Sequence, residues 1–138
     1  VNYFLDTNAV IALLKGEPAG VRNRLKRVVS RGSAIAISSI VLYELCYGVA
    51  RSERRQENAE RLRIFLSGNI NVVSFDEEDA ATAGDLRAAL EARGTPIGPH
   101  DLLIAAQALR VGATLVTANV SEFSRVRGLA WQDWSANT

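Results

Sequence analysis

Residues 3–15 read Tyr3-Phe4-Leu5-Asp6-Thr7-Asn8-Ala9-Val10-Ile11-Ala12-Leu13-Leu14-Lys15. A short apolar run enters a polar triplet, and a helical stretch over 9–15 follows at once, closed by Gly16-Glu17-Pro18. The alternation continues outward. Residues 34–37 have β-branched character and lead into Ser38-Ser39, which can cap a helix over 40–50. Residues 70–75 form the clearest strand, and Asp76 caps a helix over 77–93 that stops at Gly94. A strand over 113–117 precedes a short helix over 121–125 and a last extended segment over 129–131. Further helices are expected over 19–31, 51–66 and 99–111, the last opened by Pro99 and closed by Gly112. Strands alternating with helices imply parallel crossovers, hence an α/β sheet covered by helices on both faces. Ligands of such sheets bind at the carboxyl ends of the strands.

The chain has 138 residues, 48% hydrophobic and 22% charged, the balance of an ordinary globular protein. No internal repeat, low-complexity segment or linker interrupts it, so one domain over 1–138 is expected. A chain this long buries roughly two thirds of its unfolded surface and holds a core without disulfides or structural metal. The lone Cys46 excludes a zinc finger and a disulfide scaffold, and a reducing cytoplasm is the expected setting. No apolar run approaches the ~20 residues that span a bilayer, and the start has no signal-peptide arrangement. Methionine is absent, so the numbering is expected to begin after an initiator.

A net charge of +1 conceals local patches. Arg22, Arg24, Lys26, Arg27 and Arg31 crowd one helix with no acid between Val21 and Arg31, which suits phosphate or partner contact. Arg51, Arg54 and Arg55 instead lie among Glu53, Glu57 and Glu60, as on a solvated helix face. The aromatic residues are few and scattered, with no stacking ladder in view. Tyr43, Tyr47 and Phe65, with Ile40, Leu62 and Leu66, read as core.

Three acids stand apart. Asp6 follows the first strand, where a helix cap or Asx turn would account for it. Glu44 has Ile40, Val41, Tyr47 and Gly48 as its same-face neighbours, and an ionised carboxylate there costs several kcal/mol unless it meets a cation, a donor or water. Asp101 lies in the first turn of the Pro99 helix, favoured by the helix dipole, yet beside Ile104 and Ala105. One cleft can collect all three. Close carboxylates repel and raise at least one pKa unless a cation neutralises them. Oxygen ligands without suitable His or Cys select Mg²⁺ or Mn²⁺. Such an ion activates water and offsets charge on a phosphoryl group, which suits phosphodiester hydrolysis.

The motifs Leu5-Asp6-Thr7-Asn8, Ser38 through Glu44-Leu45 and Gly48, Gly94-Thr95-Pro96-Ile97-Gly98-Pro99 running into Asp101 through Ala106, and Leu115-Val116-Thr117 with Phe123 occur in this order. The set resembles a PIN domain of the VapC type, the toxin half of bacterial VapBC toxin–antitoxin pairs, over essentially the whole chain. The resemblance implies a PIN-like three-layer sandwich with a central, mostly parallel sheet of about five strands. It implies a Mg²⁺- or Mn²⁺-dependent endoribonuclease with Asp6 and Asp101 as main metal ligands and Glu44 holding the metal directly or through water. Cleavage by activated water would leave a 5′-phosphate and a 3′-hydroxyl and inhibit translation until a VapB-type antitoxin binds. Asn8, Ser38 and Thr117 would line the site, and Arg22, Arg24, Lys26 and Arg27 would meet RNA.

The resemblance further implies a homodimer, with the antitoxin tail in a groove near the Tyr43–Phe65 helices and an antitoxin basic residue blocking the acidic cleft. Many PIN domains place a fourth acid after the strand that ends here at Thr117. This chain has Asn119 there, with Glu122 slightly further on. His100, where relatives often carry an aromatic residue, reads as a wall residue that stacks on a base or shuttles protons.

Two other classes compete. A receiver needs paired acids after its first strand and a late lysine, and a haloacid-dehalogenase-like phosphatase needs a second Asp two residues after the first. Asp6 is followed by Thr7 and Asn8, and the lysines are Lys15 and Lys26, both early. A catalytically weak or silent PIN fold acting as a protein- or RNA-binding module is the alternative that the Asn119 departure leaves open.

Overall fold

A computed structural model describes residues 1–135. In chain order it contains β1 (Tyr3–Leu5), α1 (Thr7–Lys15), α2 (Ala19–Ser30), β2 (Ile35–Ser38), α3 (Ser39–Ala50), α4 (Arg55–Leu66), β3 (Ile70–Val73), α5 (Glu77–Ala92), α6 (Pro99–Val111), β4 (Thr114–Val116), α7 (Val120–Phe123) and β5 (Trp131–Gln132). The strands form one five-stranded sheet in the order β3-β2-β1-β4-β5, parallel throughout.

β2 is buried along its whole length, and Phe4 and Leu5 of β1 are fully buried. Central strands of a parallel sheet require that, because helices cover both faces. Phe4 pairs in register with Ala36 on one side and Leu115 on the other. Val10, Val41, Leu90, Ile104 and Phe123 complete the core from the helices. The strand order reverses at β1, so the carboxyl ends of β1 and β4 border the crevice where such sheets bind ligands. The Asp6 N–H donates to the Val116 carbonyl at 3.1 Å and ties these two ends together.

Local signals set the helix ends. Asp6 caps α1, and Gly16 closes it at φ 75°, a left-handed conformation that glycine adopts without steric cost. Asp76 and Asp79 form a reciprocal capping box on α5. Asp79 is fully buried and ion-paired with Arg110 of α6, which fastens these two helices.

Several expected boundaries shift. α4 begins at Arg55 rather than 51, because Arg51 and Ser52 donate back to Tyr47 and Val49 carbonyls and turn the chain after α3. β3 stops at Val73 rather than 75: Gln107 takes the Val73 and Ser74 carbonyls, and the Ser39 hydroxyl takes the Phe75 N–H. β5 occupies Trp131–Gln132 rather than 129–131, and α7 occupies Val120–Phe123 rather than 121–125.

The core reading of Tyr43 and Tyr47 is overturned. α3 buries Val41 and Leu45, and the two tyrosines on its other side are 57% and 58% exposed. Leu62 is buried, while Ile40, Phe65 and Leu66 are half-buried against the core.

Candidate active site

Asp6 leaves β1 buried at the sheet's carboxyl edge, with Oδ1 accepting the Ala9 N–H at 2.8 Å. The capping role and the cleft position therefore belong to the same carboxylate. Burial pushes its pKa above the ordinary value. Hydrogen bonds from Thr117 and the Ala9 N–H oppose that shift, and the Glu44 and Asp133 charges add to it.

Glu44 comes from the half-buried side of α3, and both of its oxygens are held. Oε1 accepts the Thr7 hydroxyl at 2.6 Å, and Oε2 lies 3.2 Å from His100 Nδ1. These partners answer the desolvation problem that its apolar sequence neighbours pose.

Asp101 projects from the first turn of α6. Its carboxyl is pushed up to about 7, first by burial, then by a hydrogen bond and charge from Glu122, then by the Asp6 and Glu44 charges. Glu122, on α7, is held below its usual range by that hydrogen bond with Asp101. The Gly98 N–H at 3.3 Å and the Asn119 amide at 3.0 Å act in the same direction. Asn119 Nδ2 also lies 3.5 Å from Asp101 Oδ2, and the Asn119 N–H donates to Thr117 Oγ1 at 2.9 Å. Asn119 and Glu122 thus stand together at the corner beside Asp101, with the Asn119 amide between the two carboxylates.

Gly98 is the floor of that corner. A Cβ there would stand 3.5 Å from Asp101 Oδ2 and 3.8 and 3.9 Å from the two Glu122 oxygens, inside the space the carboxylates share.

The remaining expected site residues divide. Thr117 joins the network through Asp6 and Asn119. Ser38 is buried at the end of β2, but its hydroxyl caps α3 by accepting the Ile40 N–H at 3.0 Å. Asn8 is exposed and lines a neighbouring groove with Lys15, Thr117 and Asp133. On α2, the Arg22 guanidinium donates to the Leu13 carbonyl at 2.8 Å at the end of α1 and covers Gly16. Arg24 is half-buried, and Lys26 and Arg27 are exposed.

Thr7, Gly98 and Asp133 were not singled out from the sequence. Thr7 stood beside Asp6 in the polar triplet, which was its one signal. Gly98 stood only within the quoted 94–99 motif, with no role given to it, and Asp133 gave no signal, because their roles depend on which element they face.

Among the described residues, no Lys or Arg forms an ion pair with Asp6, Asp101 or Glu122. Nor do three His, Cys, Asp or Glu side chains among them close up as a preformed metal centre. Burial and the neighbouring Glu122, Asp6 and Glu44 carboxylates instead favour the protonated form of Asp101. The donors are carboxylate oxygens crowded at one strand edge, with Arg125 offsetting part of the Glu122 charge and His100 held on Glu44. That donor set fits a hard divalent ion.

The PIN domain model matches residues 3–129. Ribonuclease VapC2 of Rickettsia felis is 41% identical over 132 residues, covering 96% of this chain and 97% of that protein. The tRNA(fMet)-specific endonuclease VapC of Shigella flexneri is 39% identical, covering 98% and 99%. Among solved structures, VapBC2 from Rickettsia felis bound to a DNA fragment from its promoter superposes with a TM-score of 0.90 at 40% identity, covering 97% of this chain and 99% of that one. DNA-bound VapBC from Salmonella typhimurium gives 0.88 at 37% identity, covering 97% and 98%. By motif order, sheet topology and full-length similarity, the chain belongs to the PIN domain family, in its VapC-type branch.

Proposed function

We propose that this chain acts as one PIN domain over 1–138, a Mg²⁺- or Mn²⁺-dependent endoribonuclease and the toxin of a type II toxin–antitoxin pair. The observation that carries this is the meeting of Asp6, Glu44, Asp101 and Glu122 at the sheet's reversal point, with Asp101 pushed up to about 7 by burial and its acidic neighbours. Asp6 and Asp101 would be the main metal ligands, Glu44 would hold the metal directly or through water, and Glu122 would supply the fourth carboxylate. A bound divalent ion supplies an activated water and charge neutralisation at the phosphoryl group.

The chain's own residues prepare that chemistry. Asp6 is fixed at the strand end by the backbone of α1, and Thr7 and His100 orient Glu44. Asn119 and the Gly98 N–H hold Glu122 toward Asp101. Deprotonated Asp101 is the form that takes metal, so metal binding competes with protonation of this carboxylate. A Glu122 carboxylate in the fourth corner favours this reading over a silent binding module.

The relatives' names set the first substrate to test. The Shigella flexneri protein is a tRNA(fMet)-specific endonuclease, so initiator tRNA is tested first, beside total RNA. The solved VapBC complexes support a VapB-type antitoxin as partner. Its seat in this proposal is the groove of about 370 Å³ between α1, α3 and α4, floored by Ile11, Leu14, Leu45, Val49 and Leu62. Glu44 also lines that groove, so an antitoxin cation can reach the acids from it. A homodimer and a cytoplasmic setting complete the proposal. Among the described residues no helix is long and apolar enough to cross a membrane.

The test is RNA cleavage by the purified chain, free of partner, with Mn²⁺, Mg²⁺ or EDTA, and with Asp101→Asn alongside. Fragments that need metal and vanish in the variant are expected. Identical behaviour of the two proteins on every RNA and metal would sink the reading.

A further inference from the structure

The wall of the cleft beside Glu44 carries aromatic rings, of which His100 alone also holds an acid of the network. Tyr43 precedes Glu44 on α3 and is largely exposed. His100, from the start of α6, meets it edge to face, with ring centroids 5.6 Å apart and planes at 85°. The same imidazole is anchored on Glu44 through Nδ1, so its plane is set from two sides. One turn along α3, the exposed Tyr47 lies under the Arg51 guanidinium, 5.3 Å from its ring centroid. Residues 43, 47 and 51 recur at a spacing of four and share one face of the helix. In the sequence these aromatics look scattered. The fold makes a row of them by laying His100 against Tyr43.

Chemistry selects what the row would bind. The groups this wall presents beside Glu44 are the rings of Tyr43, His100 and Tyr47, with the Arg51 guanidinium at their end. A strand lying along such a wall meets ring faces, so its bases find partners there. Aromatic faces stack on any base, and an arginine over a ring extends the stack by cation–π attraction. The row also begins at the cleft itself, because His100 touches Glu44.

We propose that His100 and Tyr43, continued by Tyr47 and Arg51, form a stacking track for the bases of single-stranded RNA that flank the scissile phosphodiester. This rests on the ribonuclease reading of the cleft.

The test uses an unstructured RNA carrying 2-aminopurine. Its binding and fluorescence quenching are followed on the Asp101→Asn background with Mg²⁺, and kcat and KM are measured on the otherwise unaltered chain. Tyr43→Ala is expected to weaken binding and raise KM by roughly five- to a hundredfold, to lose the quenching and to leave kcat little changed. Tyr43→Phe, which keeps the ring, is expected to retain all of these. If the unaltered chain cleaves and Tyr43→Ala matches it in KM and quenching, the track is wrong and the nuclease reading stands. If Tyr43→Ala instead lowers the sedimenting mass with KM unmoved, the surface is a protein interface and the track is again wrong. If the unaltered chain cleaves no RNA with any metal, the nuclease reading falls and the track falls with it.

Discussion

The Thr7 hydroxyl reaches Glu44 Oε1 at 2.6 Å across 37 positions of sequence, so the residue after the first acid orients the second. Thr7→Val keeps the shape and removes the donor. The expected result is a cleavage rate lowered about tenfold or more, with stability changed by roughly 1 kcal/mol, the net worth of one such bond. RNA cleavage assayed beside urea unfolding separates the two.

Asp101→Asn removes a carboxylate that three other acids crowd. Cleavage is expected to fall by at least about a hundredfold, the scale of losing one electrostatic contributor to a transition state. The metal-free variant should melt no lower than the parent at pH 8, since repulsion is relieved. A large drop in Tm would show that Asp101 serves the fold instead.

The same group makes the metal-free protein sensitive to pH. Asp101 is pushed up to about 7 in the folded chain from an ordinary value of 3.8, so the folded chain binds more protons between those values. Stability from this group is therefore full at the acid end of that window and is lost as pH rises through about 7. Burial raises Asp6 in the same direction. Urea midpoints in EDTA should fall from pH 5 to pH 8 where these groups dominate, and saturating Mg²⁺ should flatten the slope by binding the deprotonated form. A slope unchanged by Mg²⁺ would argue against metal at these carboxylates.

Gly98→Ala probes the floor of the cleft. The backbone there, at φ −57°, accepts any residue, so folding should be unharmed. The new methyl would stand within 4 Å of both Asp101 and Glu122 and take space from solvent or metal. Weaker Mg²⁺ binding by calorimetry, with an unaltered Tm, is the expected outcome.

Arg110→Leu tests the clamp between α5 and α6. It leaves Asp79 buried with its ion pair gone, which typically costs roughly 3–5 kcal/mol. Urea unfolding should show that loss. A change under about 1 kcal/mol would mean that the capping box alone satisfies Asp79.

What was readable in the sequence follows a physical line. Asp6 and Asp101 were legible because strand ends and first helical turns leave local marks, and Glu44 because a charge among apolar neighbours needs a reason. The parallel sheet followed from alternating elements. Glu122 was ambiguous because its place depends on the Gly98 N–H, 24 residues away in sequence. Tyr43 and Tyr47 were misread because α3 is apolar nearly all round, so its sequence does not say which side meets the core. The basic run on α2 was visible, but not that Arg22 would be engaged at the end of α1.

The sheet order has one more consequence. β1 is made before the other strands of the sheet, yet its neighbour β4 and the residues that complete the acidic corner follow α5 in the chain. A ribosome-bound fragment ending before α6 carries Asp6 and Glu44 without Asp101 or Glu122. Under the proposed function it is harmless to the RNA around it, so the hazard of making this protein begins only once α6 and α7 have been made.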